Sequence, residues 1–223
     1  MTESIISLNG ENVQTLEVLF LTTMITLLPS LLVMMTPFTR YVISFSFMRT
    51  ALGTQQTPPN VVLIGMALFL TLFTIGPTFD EIKTEAYDPY VAEQISQEEF
   101  LERAQGPLKE FMLRNTKTAT LELFCDMADE PVPENYNLQT AKKLPLRVVV
   151  PAFMTCELQR AFEIGFLLFI PFMLIDIVVS STLMSMGMIM LPPSMISMPF
   201  KLLLFVSLNG WELLFSSLIQ GFK

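Results

Sequence analysis

Few residues in this chain can do chemistry. Among its 223 residues there is no histidine, which removes the usual imidazole base and the commonest metal ligand. There is no glycine-rich phosphate loop, no Cys-x-x-Cys pair and no Gly-x-Ser-x-Gly turn. The two cysteines, Cys125 and Cys156, lack a metal-ligand spacing and read as buried free thiols; a disulfide would need both to face an oxidising compartment. The acidic pairs Asp80-Glu81, Glu98-Glu99 and Asp129-Glu130 lie in polar sequence and read as solvated surface charge. The chain is therefore expected not to be an enzyme and to carry no catalytic residue, metal or cofactor. A membrane-embedded hydrolase would have to work through the acidic residues of that polar stretch.

Charges inside apolar runs say more. Asp176 and Lys201 stand in otherwise uncharged sequence, and Glu157, Arg160 and Glu163 precede an apolar run. A charge in lipid is costly, so such groups face protein or water and pair. Glu157, Asp176 and Lys201 are thus expected to form a polar seam between helices or subunits, unless the long Lys201 stem snorkels to the interface. In a hairpin turning near Pro192, Asp176 lies nearer Lys201 in depth than Glu157 does. A Glu157–Lys201 pair would more naturally join adjacent subunits. A small-solute transporter could use the same three charges as a relay, but no inverted repeat accompanies them.

The third feature is a methionine cluster, Met184, Met186, Met188 and Met190, then Met195 and Met198, with Gly187 inside it and Pro192-Pro193 at its edge. Flexible, polarizable methionines fill irregular gaps. A ring of them from several subunits would close a pore to ions yet part for a polypeptide. Lipid-facing or core methionine is the plainer alternative. Gly187 and the prolines favour the pore, because irregular backbone at membrane depth needs protein or a cavity beside it.

The elements that carry these residues are set by composition. The chain is 52% apolar and 15% charged, with positive mean hydropathy; soluble domains average about 25% charged. Residues 18–39 are uncharged, include Pro29, and exceed the roughly 20 residues that span a bilayer as a helix. A second apolar helix is expected over 61–79, closing at Gly76-Pro77. Residues 80–147 hold fourteen acidic and eight basic side chains, −6 of the chain's net −8, and read as a water-exposed helical lobe with no β pattern. Within it, Ser96-Gln97-Glu98-Glu99 reads as a capping box one residue out of register, Pro107 opens a second helix, and 129–137 is loop. Two more apolar helices follow, 164–179 and beyond, split by Pro192-Pro193 into an antiparallel pair. The expectation is an all-α integral membrane protein with about four long apolar helices broken by Pro and Gly. It divides into N-terminal membrane helices (1–79), an acidic lobe (80–147) and a C-terminal membrane hairpin (148–223). Arg40 and Arg49, between the first two helices, place that connection in the cytoplasm and the lobe outside it. The acidic first residues make a poor secretory signal, so the first apolar stretch reads as retained.

The ordered motifs Arg49-Thr50-Ala51-Leu52-Gly53-Thr54-Gln55-Gln56-Thr57-Pro58-Pro59-Asn60, Val150-Pro151-Ala152-Phe153, Ala161-Phe162-Glu163-Ile164-Gly165-Phe166, Leu174-Ile175-Asp176-Ile177-Val178-Val179, Pro199-Phe200-Lys201 and Asn209-Gly210-Trp211 resemble those of the FliP family of type III secretion export-gate proteins. The resemblance covers nearly the whole chain and is weakest over 126–143. It implies an all-α subunit of a flagellar export gate, multi-pass in the bacterial inner membrane at the flagellar basal body, with much of the assembled chain standing above the bilayer. Several copies would join FliQ-like and FliR-like subunits, near FlhB-like and FlhA-like components, to pass unfolded protein substrates; nucleic acid has no part. The family's methionine gasket maps onto Met188 and Met190, flanked by Met186, with Ile189 replacing the middle methionine; Gly187, Pro192 and Pro193 would form the hinge. The acidic residue and lysine that stabilise the family's complex map onto Glu157 and Lys201. The equivalent subunit of a virulence-type injectisome is the near alternative.

Overall fold

In a computed structural model, the described residues are 6–8, 11–13, 19, 22, 23, 26, 27, 30, 33–132, 138–188 and 190–222. The apolar stretch 18–39 lies largely outside them, as does Ile189. Near the N-terminus, β1 (Ile6–Leu8) and β2 (Glu11–Val13) pair antiparallel with Ile6 opposite Val13. No strand is expected from the sequence reading above, yet Asn9-Gly10 separates the two runs, a strong two-residue hairpin signal.

Helix α1 (Phe38–Leu52) buries Tyr41, Phe45, Met48 and Leu52, a stripe at helical spacing. It ends at Gly53, whose φ of 76° is the left-handed conformation that glycine supplies without a Cβ clash. A connection with a cis Thr57–Pro58 bond leads to α2 (Asn60–Ile82). The sequence reading closes this helix at Gly76-Pro77, but it does not end there. The helix runs through it, passes a π-helical turn at Lys83–Tyr87 and continues as α3 (Asp88–Val91). A proline inside a helix costs one hydrogen bond, which packing against neighbours offsets. The joined element, Asn60–Val91, is 32 residues, or about 48 Å at helical rise. That exceeds a hydrocarbon core of about 30 Å, so the element is longer than one crossing needs.

The lobe follows. Helix α4 (Gln97–Arg114) is capped by Ser96, whose Oγ accepts from Glu99 N at 3.3 Å. Glu99 sits three residues after the cap, so the spacing is in register, correcting the one-residue offset, and its carboxylate accepts from Arg103 at 2.6 Å. Pro107 opens no second helix; it is buried inside α4. Helices α5 (Thr118–Met127) and α6 (Leu138–Ala141) complete the lobe.

Helix α7 (Leu146–Ser185) is continuous over 40 residues, through Pro151 and Pro171, about 60 Å long. Its first turns give Val148, Val149, Ala152 and Phe153 to the lobe core, with Met112, Leu113, Leu121 and Cys125. Its later turns join a second core around Tyr41, Phe45, Met48, Leu63, Phe172, Phe205 and Leu218. One continuous helix therefore belongs to both regions. Helix α8 (Pro193–Ser207) packs back on it, and α9 (Gly210–Gln220), which touches α8 and α2, follows after a 64° bend, where Asn209 takes a φ of 50°.

Among the described residues two elements, Asn60–Val91 and α7, are long and apolar enough to cross a membrane, or three if the bent α8–α9 pair counts as one. About four are expected from sequence, the first of which lies mostly outside the described residues. Phe69 and Phe73 on α2 and Phe162, Phe166, Leu167 and Val178 on α7 are exposed. Apolar faces of that extent suit lipid or a partner surface.

Candidate functional site

Three groups of residues merit attention, and α7 holds part of each. The first joins the lobe to the membrane bundle. Arg40, in the first turn of α1, and Glu157, on α7, are both fully buried. Arg40 Nε donates to Glu157 Oε2 at 2.7 Å, and Nη2 donates to Oε1, a two-pronged pairing. Arg40 Nη1 donates to the Gly221 carbonyl at 3.3 Å, beyond the end of α9. That carbonyl belongs to the negative end of a helix, where a cation is favoured. The Phe222 ring centroid lies 3.5 Å from the guanidinium carbon, a cation–π contact. The same ring stacks on Phe111 of α4 and meets Tyr41 of α1 edge-on. A Cβ at Gly221 would lie 3.0 Å from Arg40 Nη1, so a larger residue there requires the guanidinium to shift by a few tenths of an ångström.

The second group fixes the C-terminal hairpin. Lys201 on α8 is buried; its Nζ donates to Asp176 Oδ2 at 2.7 Å and to the Ala51 carbonyl at 3.1 Å. Ser197 Oγ donates to the other Asp176 oxygen at 2.6 Å. Ala51 lies in the last turn of α1, where carbonyls lack intrahelical partners and attract a cation. Lys201 thus ties α8 both to α7 and to the segment that carries the Arg49–Asn60 motif. Within that motif Leu52 is buried, and Arg49 Nη1 donates to the Pro58 carbonyl at 3.1 Å and to Asn60 Oδ1 at 2.6 Å. Pro59 precedes the start of α2 at Asn60 in extended conformation.

The structure therefore brings Asp176 and Lys201 together, while Glu157 meets Arg40 and Arg160 within the chain. Sequence reasoning used Arg40 only as an orienting charge. Its partner lies 117 residues away, so no local spacing could reveal it; the one signal was that Glu157 needed a cation. Both arginines used for the orientation argument are engaged in internal contacts.

The third group is the methionine segment. Helix α7 stops at Met186, and Gly187 takes a φ of 73°. Met188 N donates to Leu183 O and Gly187 N to Met184 O, both at 3.0 Å, the paired closure that a left-handed glycine allows. Pro192 is extended and Pro193 opens α8. Across this turn Met184, Met186, Met188 and Met190 point away from the core, Met190 being 98% exposed. Here the chain buries none of its most adaptable side chains.

In the lobe, charge stays near the surface. Lys142 and Arg114 flank Glu110 and hold its carboxyl below the usual range, the lysine hydrogen bond contributing most. Burial pushes the Cys125 thiol up, and both cysteines are free and buried.

A model of the FliP family matches residues 21–218. A protein of Bacillus subtilis named "Flagellar biosynthetic protein FliP" is 51% identical over 217 residues, covering 97% of this chain and 96% of the relative. The same name is carried by an Aquifex aeolicus protein, 49% identical over 214 residues (96% and 88% covered). It is also carried by one from Caulobacter vibrioides, 46% identical over 228 residues (100% and 84%).

Proposed function

The chain belongs to the FliP family, and from that premise we propose that it is a non-catalytic core subunit of the flagellar protein export gate. Several copies, with FliQ-like and FliR-like subunits and near FlhB-like and FlhA-like components, surround the path of unfolded flagellar proteins. The site is the inner membrane, at the flagellar basal body. The observation that carries the reading is the exposed methionine turn at the end of a 40-residue helix. A long continuous helix delivers soft, exposed side chains to one point, and the Asp176–Lys201–Ser197 contacts hold the returning helix beside it. Copies arranged about an axis bring Met186, Met188 and Met190, with Ile189, into a ring. Thioethers exclude hydrated ions yet yield to a chain. Gly187, Pro192 and Pro193 set the turn about which the ring opens.

The test replaces Met188 and Met190 together by alanine in the assembled complex and measures ion conductance across the membrane. The gate reading expects a leak; conductance equal to the parent's removes the gasket. The orientation, with the lobe on the extracytoplasmic side, is tested by a compartment-sensitive reporter fused within 80–147, and a cytoplasmic signal overturns it.

A further inference from the structure

Five side chains of α9 are exposed: Glu212, Leu213, Ser216, Ser217 and Gln220. Leu213 alone among them is apolar, although α9 together with α8 is apolar enough to count as a membrane span. Glu212, Ser216 and Gln220 recur at every fourth residue and so form one stripe along the helix. Gln220 Nε2 donates to Ser216 Oγ at 3.0 Å. Glu212 has no ion pair among the described residues. The opposite face of α9 is core: Leu214 and Leu218 are buried, and Phe215 meets Phe45 of α1 edge-on at 5.7 Å.

At the same level of the bundle α7 carries a different surface. Phe47, about 3 Å along α1 from Phe45, lies against Phe162 and Phe169 of α7. Leu167 and Leu168 of α7 line one groove with Leu213, Leu214 and Ser217 of α9. Over 164–170 the exposed α7 side chains are Phe166, Leu167 and Ile170, all apolar. Across one groove the surface therefore passes from wholly apolar to mostly polar. The α7 face suits lipid or a partner. The α9 stripe suits neither: an unpaired carboxylate is costly in lipid, and glutamate and serine are depleted in protein interfaces. Water is the surrounding that remains. A bundle that meets an apolar medium on one face and water on another, at a single level, borders an aqueous cavity.

We propose that the outward face of α9 is a wall of the water-filled export route. Ser216 and Gln220 offer hydrogen bonds to an unfolded chain in transit, and Glu212 supplies a fixed negative charge. The inference rests on the export-gate reading. Its test uses the full chain assembled with its partners in membrane vesicles, with a charged methanethiosulfonate reagent on both sides. The reagent needs a thiolate: the sulfur attacks, a mixed disulfide forms and methanesulfinate leaves. Apolar surroundings disfavour thiolates, and the parent, whose two cysteines are buried, sets the baseline. Ser216→Cys and, on the same stripe, Gln220→Cys should react at least about tenfold faster than Phe166→Cys. A secretion substrate fused to a domain that stays folded, and so stalled in the route, should slow both α9 variants by a similar factor and leave Phe166→Cys unchanged. Reaction of the α9 variants at the Phe166→Cys rate means that lipid or a partner covers the stripe, and overturns the wall. Fast reaction that the stalled substrate leaves unchanged puts α9 in water outside the route, and overturns it too. Both outcomes leave the gate reading standing. A complex on which the substrate does not stall overturns the gate reading and the wall with it.

Discussion

Arg103 and Glu99 in the lobe meet at 2.6 Å with 45% of each side chain in solvent, whereas Arg40 and Glu157 meet with 1% and none. The first pair keeps most of its hydration and gains little by pairing. The second has given up its water and depends on geometry: two prongs on the carboxylate, an aromatic face and a helix-end carbonyl. The same ions thus serve solubility in one region and fix helix positions in the other. The lobe is held mainly by its apolar core, which any solvated helical domain would need. The bundle has an outer surface made for lipid or partners, so burial alone says little about which helix lies against which; the buried charges supply that register.

Breaking the Arg40–Glu157 pair should show the contrast most strongly. Glu157→Ala strands a buried guanidinium and should cost about 3–5 kcal/mol, seen as loss of detergent-extractable folded protein. Replacing both partners by apolar residues of similar size should restore much of that yield; failure of the double variant would mean the pair does more than fix position. Next comes Lys201→Ala, which leaves Asp176 with Ser197 alone and the Ala51 carbonyl without its cation. A loss of about 1.5–3 kcal/mol, read by thermal melting, should fall below that of Glu157→Ala because Asp176 is partly solvated. Restoration by exchanging the charges at 176 and 201 would sharpen the assignment, and a melt equal to the parent's would leave the lysine idle. Glu99→Gln in the lobe should cost no more than about 0.5 kcal/mol, and a larger loss would erase the contrast between the regions.

The smallest effect is one of pH. Lys142 and Arg114 depress the Glu110 carboxyl, so its folded value lies below its unfolded one. Its stabilising contribution is present above the ordinary carboxylate range and is lost as pH falls through the depressed folded value. Comparing melts of the parent and Glu110→Gln from neutral pH downward should show a small gap that closes in acid. A gap that widens in acid would reverse the sign.

The apolar runs, the acidic lobe and the Asp176–Lys201 proximity were legible because each depends on local composition or a short hairpin. Helix ends were less so at Pro77 and Pro107, whereas Pro193 does open α8 as its position suggests. Pro77, Pro107, Pro151 and Pro171 all lie inside helices, because tertiary packing overrides the local penalty there. Arg40 with Glu157 was beyond reach: a contact across 117 residues leaves no periodic trace. The methionine turn was readable as a cluster, but its exposure and the left-handed closure at Gly187 needed the backbone.

The span between Arg40 and its partners also sets a clock. During synthesis Arg40 precedes Glu157 by 117 residues and Gly221 by 181. At roughly 5–20 residues per second, the first interval lasts about 6–23 s. For that time α1 holds a cation whose counter-charge does not yet exist. Such a helix is poorly suited to enter lipid alone and early. Delivery of α1 and α7 to the membrane as a pair, after the lobe has been made, is the order of assembly that this one contact favours.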